Sequence, residues 1–547
     1  MRQALATRRI PRWGAVTAFA LALSAAVSTP KPTPTLLVVL VVDQFRADYI
    51  GRYGHQWHAG LRRLIDDGAW FANAAYPYLT TVTCAGHTTI ATGTFPLRHG
   101  MISNTWWDRA SGAAVTCTTD RSESPLSYGG HAQEGHSPDL LQRPTLADVL
   151  RADSKPAARP HVVSLSLKPR SAITLAGQAA DAVAWFDAGD TWATSTAYTN
   201  APITEVQQFV SANPVEEMRG QMWERVLTSD QYLYDDDGVG EQPPDGWNSR
   251  FPHAFGDSAN PRFYQQWRAS PFSDQYLTDL SRALVEAFEL GQGDRTDYLA
   301  IGYSALDYVG HRFGPRSHEV QDVLARLDGA LGELLDALDR HVGRDRYVVA
   351  LSADHGVSPI PERALTEGID AGRTAPDAVA ANVETLLTER HGPGPYVASL
   401  QRHDLHFLPG VYEQLKRHPG DLDAVIGLIK RAPGMWRVYR KDQLQDANTA
   451  VDPVTRAVGL SYFAGRSGDL ILVPKPYWIG EGYAASHGSP FSYDTLVPVL
   501  LYGDGITPGR YSSAATPADI APTLASLAGV TLAEADGRVL VEALAND

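Results

Sequence analysis

Seven consecutive aliphatic residues, Leu36–Val42, are followed at once by an acid, Asp43. A strand with one wet face alternates apolar and polar residues, whereas an unbroken run suits a parallel strand buried on both faces. Similar runs stand at 162–165, 298–303, 347–351, 470–473 and 497–502. Amphipathic helical patterns fall between some of them. The clearest is 320–338, where Val320, Val323, Leu324, Leu327, Leu331, Leu334, Leu335 and Leu338 share a face. Further on, Thr516-Pro517-Ala518-Asp519 offers a capping threonine, a proline at the first helical position and an acid in the first turn. This alternation predicts an α/β sandwich around a mostly parallel sheet. Sites in such sheets form outside the carboxyl ends of the strands, and Asp43 and Asp354 both end an apolar run.

Two stretches break the rhythm. Residues 187–282 are rich in Trp, Tyr, Asp, Pro and Gly, and residues 359–468 carry helical patterns of their own. Both read as insertions able to roof a site. Tyr234-Asp235-Asp236-Asp237-Gly238 hints at a calcium loop but lacks its downstream glutamate, so a solvated acidic turn is the better reading. No internal repeat is present.

Residues 1–28 read as a signal peptide. Arg2, Arg8, Arg9 and Arg12 precede a short apolar stretch at 14–23, and small residues follow at Ser24-Ala25-Ala26 and Ala26-Val27-Ser28. The apolar stretch is shorter than the ~20 residues that span a bilayer, and no later segment has that character. Thr7-Arg8-Arg9 faintly suggests the twin-arginine route. The expected destination is the periplasm or the exterior, with residues 29–547 as the mature chain. The formal charge is −15, and those 28 residues hold four Arg and no acid, so cleavage makes the chain more acidic still. That argues against coating nucleic acid. The two cysteines, Cys84 and Cys117, either pair, as exported proteins allow, or Cys84 stays a buried thiol.

The polar residues at these run ends suit metal chemistry. Asp307 and His311 are four apart, so one helical turn aims both at the same ion. The pair Asp354-His355 ends the run at 347–351; adjacent strand residues point oppositely, so binding one ion requires a turn there, which Gly356 permits. His487 lies in Ser486-His487-Gly488. Three carboxylates and three imidazoles suffice for two zinc ions that each keep room for a substrate oxygen. Thr83 is a candidate nucleophile. The small and polar residues after it suit a helix, which puts Thr83 at the positive end. Thr80, Thr81 and Thr88 compete with it, and spacing does not choose. Lys168-Pro169-Arg170 places two cations two apart on an extended chain, pointing the same way. Both then reach one phosphate, or the segment is a basic surface loop.

Taken together these strings resemble the alkaline phosphatase superfamily, in its threonine-nucleophile phosphomonoesterase branch, over nearly the whole mature chain. The matching strings are Val41-Val42-Asp43-Gln44, Thr81-Val82-Thr83-Cys84-Ala85-Gly86-His87, Thr92-Gly93, His99-Gly100-Met101-Ile102-Ser103-Asn104, Lys168-Pro169-Arg170, Asp307-Tyr308-Val309-Gly310-His311, Ala353-Asp354-His355-Gly356 and Ser486-His487-Gly488-Ser489-Pro490. The resemblance implies an alkaline-phosphatase-like three-layer sandwich with two Zn2+ ions. It selects Thr83 as nucleophile. It implies one zinc on Asp307, His311 and His487 and the other on Asp43, Asp354, His355 and Thr83. Asn104, Lys168 and Arg170 would bind the phosphoryl oxygens. The expected substrates are phosphate monoesters, the expected product inorganic phosphate, and the expected state a monomer. The sibling nucleotide pyrophosphatase/phosphodiesterases share the metal set, threonine and asparagine but lack the Lys-x-Arg element, which makes a phosphodiesterase the alternative. Sulfatases need Cys/Ser-x-Pro-x-Arg, and Cys84 is followed instead by Ala-Gly-His.

Overall fold

Leu36–Val42 is a central strand of a ten-stranded sheet in the computed structural model, which describes residues 33–155 and 158–545. It pairs in parallel with Asp297–Tyr303 on one side and Tyr347–Ser352 on the other, and Val162–Ser166 joins Asp297–Tyr303 in parallel. All seven residues are buried. Leu36, Val38, Leu40 and Val42 enter one hydrophobic cluster, and Leu37, Val39 and Val41 enter another across the sheet. Two covered faces are the physical reason for the unbroken run. Each such aliphatic side chain contributes about 1.5–3 kcal/mol by leaving water.

The first cluster is closed by the helices Pro271–Ala287 and His318–His341. The second helix is the pattern expected at 320–338, with the Ser317 hydroxyl accepting from the Val320 N–H at its start. Helices Thr83–Thr92 and Ile520–Leu527 cover the other face. The Thr516 cap is present, but it opens a 3-10 turn, Pro517–Asp519, before the helix proper. The fold is therefore the expected α/β sandwich, with a parallel centre and antiparallel strands such as Val499–Gly503 toward the edges.

Two runs depart from the parallel-strand argument: Val499–Gly503, from the run at 497–502, pairs antiparallel with both neighbours in the large sheet, and the run at 470–473 lies outside that sheet. Leu470–Pro474 belongs to a separate four-stranded antiparallel sheet with Val397–Gln401, Asp404–Phe407 and Met435–Arg440. Its Leu470 and Leu472 pack on helices Pro376–His391 and Pro419–Arg431, while Ile471 and Val473 pack on Leu79 and Val458. An unbroken run reports two buried faces, not strand direction.

The aromatic stretch 187–282 is tied into the main body. Trp192–Ser195 is a strand of the large sheet, and Trp192, Trp223, Phe255, Phe263 and Trp267 are buried in the first cluster. In the Tyr234-to-Gly238 turn, Asp236 pairs with Arg225 and faces the His318 ring, and Asp237 pairs with Arg250. Cys84 and Cys117 form a disulfide, with Cα atoms 6.7 Å apart. It ties the helix beginning at Thr83 to a loop 33 residues downstream. The signal-peptide reading of residues 1–28 lies outside the described residues. Among the described residues no helix is long and apolar enough to cross a membrane.

Candidate active site

Four adjacent parallel strands deliver the site. Asp43 follows Leu36–Val42, Ser304 and Asp307 follow Asp297–Tyr303, Lys168 follows Val162–Ser166, and Asp354 and His355 follow Tyr347–Ser352. These side chains are almost wholly shielded from solvent. Asp307 and His311 share the helix Ala305–Phe313, with Asp307 Oδ1 3.3 Å from His311 Nε2. His487 Nε2 lies 3.8 Å from the same oxygen. The donor atoms of these three residues lie within 4.8 Å of one another, close enough to hold one ion.

The second group holds a residue that the sequence did not single out. Asp43, His87 and Asp354 also have donor atoms within 4.8 Å of one another. His87 Nε2 is 3.3 Å from Asp43 Oδ1, and its Nδ1 is 3.5 Å from Asp354 Oδ2. His355, the expected imidazole here, places Nε2 3.1 Å from Asp354 Oδ2 and stacks its ring on His487. Gly86 makes this proximity possible, because a Cβ there would stand 2.2 Å from the Asp354 carbonyl oxygen. Gly356 serves differently from expectation. Its φ is not left-handed; a Cβ would meet the Tyr493 carbonyl oxygen at 2.2 Å.

All four imidazoles have their Nδ1 against a backbone carbonyl: His311 on Ala485, His487 on Thr81, His355 on Gly356 and His87 on Thr83. An Nδ1–H donated to a carbonyl fixes the tautomer and leaves the Nε2 lone pair free. His87 Nε2 and His355 Nε2 are buried without a hydrogen-bond partner, as are Asp43 Oδ1 and Asp354 Oδ2. Buried polar atoms without partners cost about 1–3 kcal/mol each. Four together, all lone-pair donors, fit a divalent cation with nitrogen and oxygen ligands.

The charges agree. Burial pushes the Asp43 carboxyl up, but Lys168 and His87 outweigh it and hold its pKa at about 2. Asp307 is held well below the usual range against its own burial, chiefly by Lys168. His487 is pushed well below the ordinary imidazole value by burial and by His355 and His311, so it stays neutral. For His355, burial works downward, yet Asp354 carries the pKa above the ordinary value.

Thr83 is the first residue of its helix and is nearly fully buried, at the floor of a cleft of about 310 Å³. The helix start expected from its small neighbours is therefore present, and the helix dipole there favours negative charge. Asn104 accepts the Cys84 N–H through Oδ1 at 2.9 Å, which leaves its amide nitrogen to donate. Lys168 and Arg170 both line this cleft. They do so for another reason than the one expected. Only Lys168 is extended, as the residue before a helix; Pro169 and Arg170 already form its first turn. Lys168 Nζ sits between Asp43 Oδ2 at 2.7 Å and Asp307 Oδ2 at 2.6 Å. Burial opposes its charge, but Asp307 and Asp43 raise its pKa above the ordinary value. The Arg170 Nε is buried without a partner.

Gln44 was also missed. Its side-chain amide donates to Asp307 Oδ1 at 2.7 Å and its N–H to Asp354 Oδ1 at 3.1 Å, so one residue braces both groups. Asp274 was missed likewise: its Oδ1 accepts from the N–H groups of Ser304 and Ala305 and anchors the helix that carries Asp307.

A family profile described as type I phosphodiesterase / nucleotide pyrophosphatase matches residues 37–489. Alkaline phosphatase PafA of Elizabethkingia meningoseptica is 30% identical over 524 residues, covering 92% of this chain and 93% of that protein. Alkaline phosphatase PhoK of Sphingomonas sp is 31% identical over 536 residues, covering 93% and 91%. The crystal structure of wild-type PafA superposes with a TM-score of 0.86 at 29% identity, over 94% of this chain and 99% of that one.

Proposed function

The chain belongs to the type I phosphodiesterase / nucleotide pyrophosphatase family of the alkaline phosphatase superfamily, and from that premise we propose an exported, zinc-dependent alkaline phosphatase that works through a phosphothreonine at Thr83. The observation that carries this reading is the set of four Nδ1-anchored imidazoles converging with three carboxylates beside Thr83. Asp307, His311 and His487 would hold one zinc; Asp43, Asp354, His355 and Thr83 would hold the other. Bound zinc supplies Lewis-acid stabilisation of the oxygens flanking phosphorus and favours the alkoxide of Thr83.

The protein's own groups do the rest. Thr83 Oγ bonds to phosphorus as the bond to the leaving oxygen breaks, and the leaving group departs as the alcohol. Water then cleaves the Thr83 ester, which releases inorganic phosphate and restores the hydroxyl. Two in-line displacements retain configuration at phosphorus. The Asn104 amide and the Arg170 guanidinium stabilise the phosphoryl oxygens, and the helix N-terminus favours the charge that grows on Thr83. Lys168 adds a cation beside both groups of ligands. The disulfide supports export, because such bonds persist in oxidising compartments.

Dialysis against a strong chelator is expected to remove p-nitrophenyl phosphate hydrolysis by at least about 100-fold. Zinc alone should restore it, with about two ions bound per chain by mass spectrometry. A metal-free chain with full activity, or one restored only by another metal, refutes the zinc assignment. The diesterase reading rests on the description of the matching family, and the Lys168/Arg170 pair argues against it.

His87 supplies a second expectation. It joins the Thr83 carbonyl to Asp43 and Asp354 and so acts as a positioning residue or an additional ligand. Loss of such a partner typically weakens metal binding by about 10–100-fold. His87→Gln should therefore lose metal to a competing chelator at a concentration that the parent withstands. Equal retention would reduce His87 to packing.

A further inference from the structure

The cleft over Thr83 carries more positive charge than one phosphoryl group requires. Lys168, Arg170, Arg268, Arg312 and Arg402 line it, against a single acid, Asp307. Two of these cations are already engaged by carboxylates. Lys168 lies between Asp43 and Asp307, and Arg268 pairs with Asp190 at 2.8 Å. Arg170 is accounted for by the transferred phosphoryl group. Arg312 and Arg402 have no carboxylate within ion-pair distance among the described residues, and no acid there explains their place.

Both stand on the side of His311 and His487. Arg312 follows His311 directly, and its guanidinium lies 5.9 Å from the centre of the Tyr483 ring. Tyr483 in turn packs on the His311 ring at 4.5 Å and is 44% exposed. Arg402 sits at the tip of the hairpin between Val397–Gln401 and Asp404–Phe407, with φ of +51°. From there it donates to the His487 carbonyl at 2.5 Å, while His403 beside it reaches the Gly488 carbonyl. That contact uses one of the five N–H donors of the guanidinium, and Arg402, whose guanidinium is desolvated by its surroundings, lines the cleft. The small antiparallel sheet thus delivers an unpaired guanidinium to the mouth of the site.

On the proposed phosphatase reading, the Asp307, His311 and His487 group faces the leaving oxygen. We infer that Arg312 and Arg402, with the Tyr483 ring beside them, form an anion subsite for the leaving group, so that the preferred substrates are phosphate esters whose leaving group carries a second phosphate. A guanidinium fork matches phosphate in bidentate fashion. An exposed aromatic ring nearby gives a flat group a surface on which to rest.

The test uses zinc-loaded protein and the pair adenosine 5′-monophosphate and adenosine 3′,5′-bisphosphate, which share base and sugar. Phosphate release should be at least about tenfold more efficient, in kcat/KM, for the bisphosphate, beyond the factor of two from its extra ester. Arg312→Gln should lower kcat/KM for the bisphosphate several-fold more than for the monophosphate, mainly through KM. Arg402→Lys, with its zinc content checked because Arg402 touches the His487 loop, should act in the same sense. Equal efficiency on the two substrates, or equal losses on both in Arg312→Gln, overturns the subsite. Failure to release phosphate from either substrate, or from p-nitrophenyl phosphate, refutes the phosphatase reading instead.

Discussion

Thr83→Ala is expected to lower kcat/KM for p-nitrophenyl phosphate by at least about 10³-fold, equivalent to about 4 kcal/mol of lost transition-state stabilisation. The fold and most of the metal should survive. Val82, not Thr83, holds the cap position of this helix, so the substitution removes a small group and no helix cap. A stability change within about 1 kcal/mol follows. The carboxylates and imidazoles on both sides of Thr83 remain, held by Gln44 and by the four Nδ1 contacts. The informative pair of measurements is the rate and the zinc content of the same preparation. Lost activity with retained zinc assigns the nucleophile. Activity within a few-fold of the parent sinks the covalent mechanism, and loss of zinc together with activity reduces Thr83 to a ligand. Thr83→Ser keeps the hydroxyl and should recover most of the rate.

What the sequence revealed of this site, and what it hid, follows from how local each signal is. Asp43 was legible because it ends an aliphatic run, and Asp307 with His311 because four residues are one helical turn. Asp354 and His355 also stand at a strand end. His87 lies within one of the matching strings, which attaches no role to it. Its local signal was present, since it lies four residues beyond Thr83 and bonds back to the Thr83 carbonyl. Its contact with Asp43 depends on the helix Thr83–Thr92 passing over the strand ends, which no spacing reveals. Gln44 was hidden for the same reason: its partners lie 263 and 310 residues away. Arg402 has no sequence signal at all. Its importance comes from a hairpin whose sheet was itself misread in part, because the run at 470–473 was taken for a parallel strand. Patterning reports which faces are covered; it does not report what covers them.

Arg170→Ala and the double substitution Lys168→Ala with Arg170→Ala are expected to damage monoester hydrolysis about 10²-fold more than diester hydrolysis, read as kcat/KM for p-nitrophenyl phosphate and bis-p-nitrophenyl phosphate. On the proposed two-zinc reading, two divalent cations facing three carboxylates would leave one net positive charge, and Lys168 and Arg170 would raise it to three. A monoester dianion gains from those extra charges more than a diester monoanion does. A hydrogen bond to a charged group is worth about 1.5–3 kcal/mol, so losing one or two accounts for the expected factor. The two cations are not equivalent. Lys168 lies between Asp43 and Asp307, all three nearly inaccessible to solvent. Its removal leaves two buried carboxylates facing each other without their cation, a loss of about 3–5 kcal/mol in comparable buried pairs. The metal-free double variant should therefore melt lower than the parent, and zinc should recover much of the difference. Arg170 has no carboxylate partner among the described residues, so its removal orphans nothing. Arg170→Ala is the cleaner probe of substrate charge. Equal losses on the two esters in that variant would move the chain to the diesterase reading and leave the Lys-x-Arg element as scaffolding for the acidic ligands.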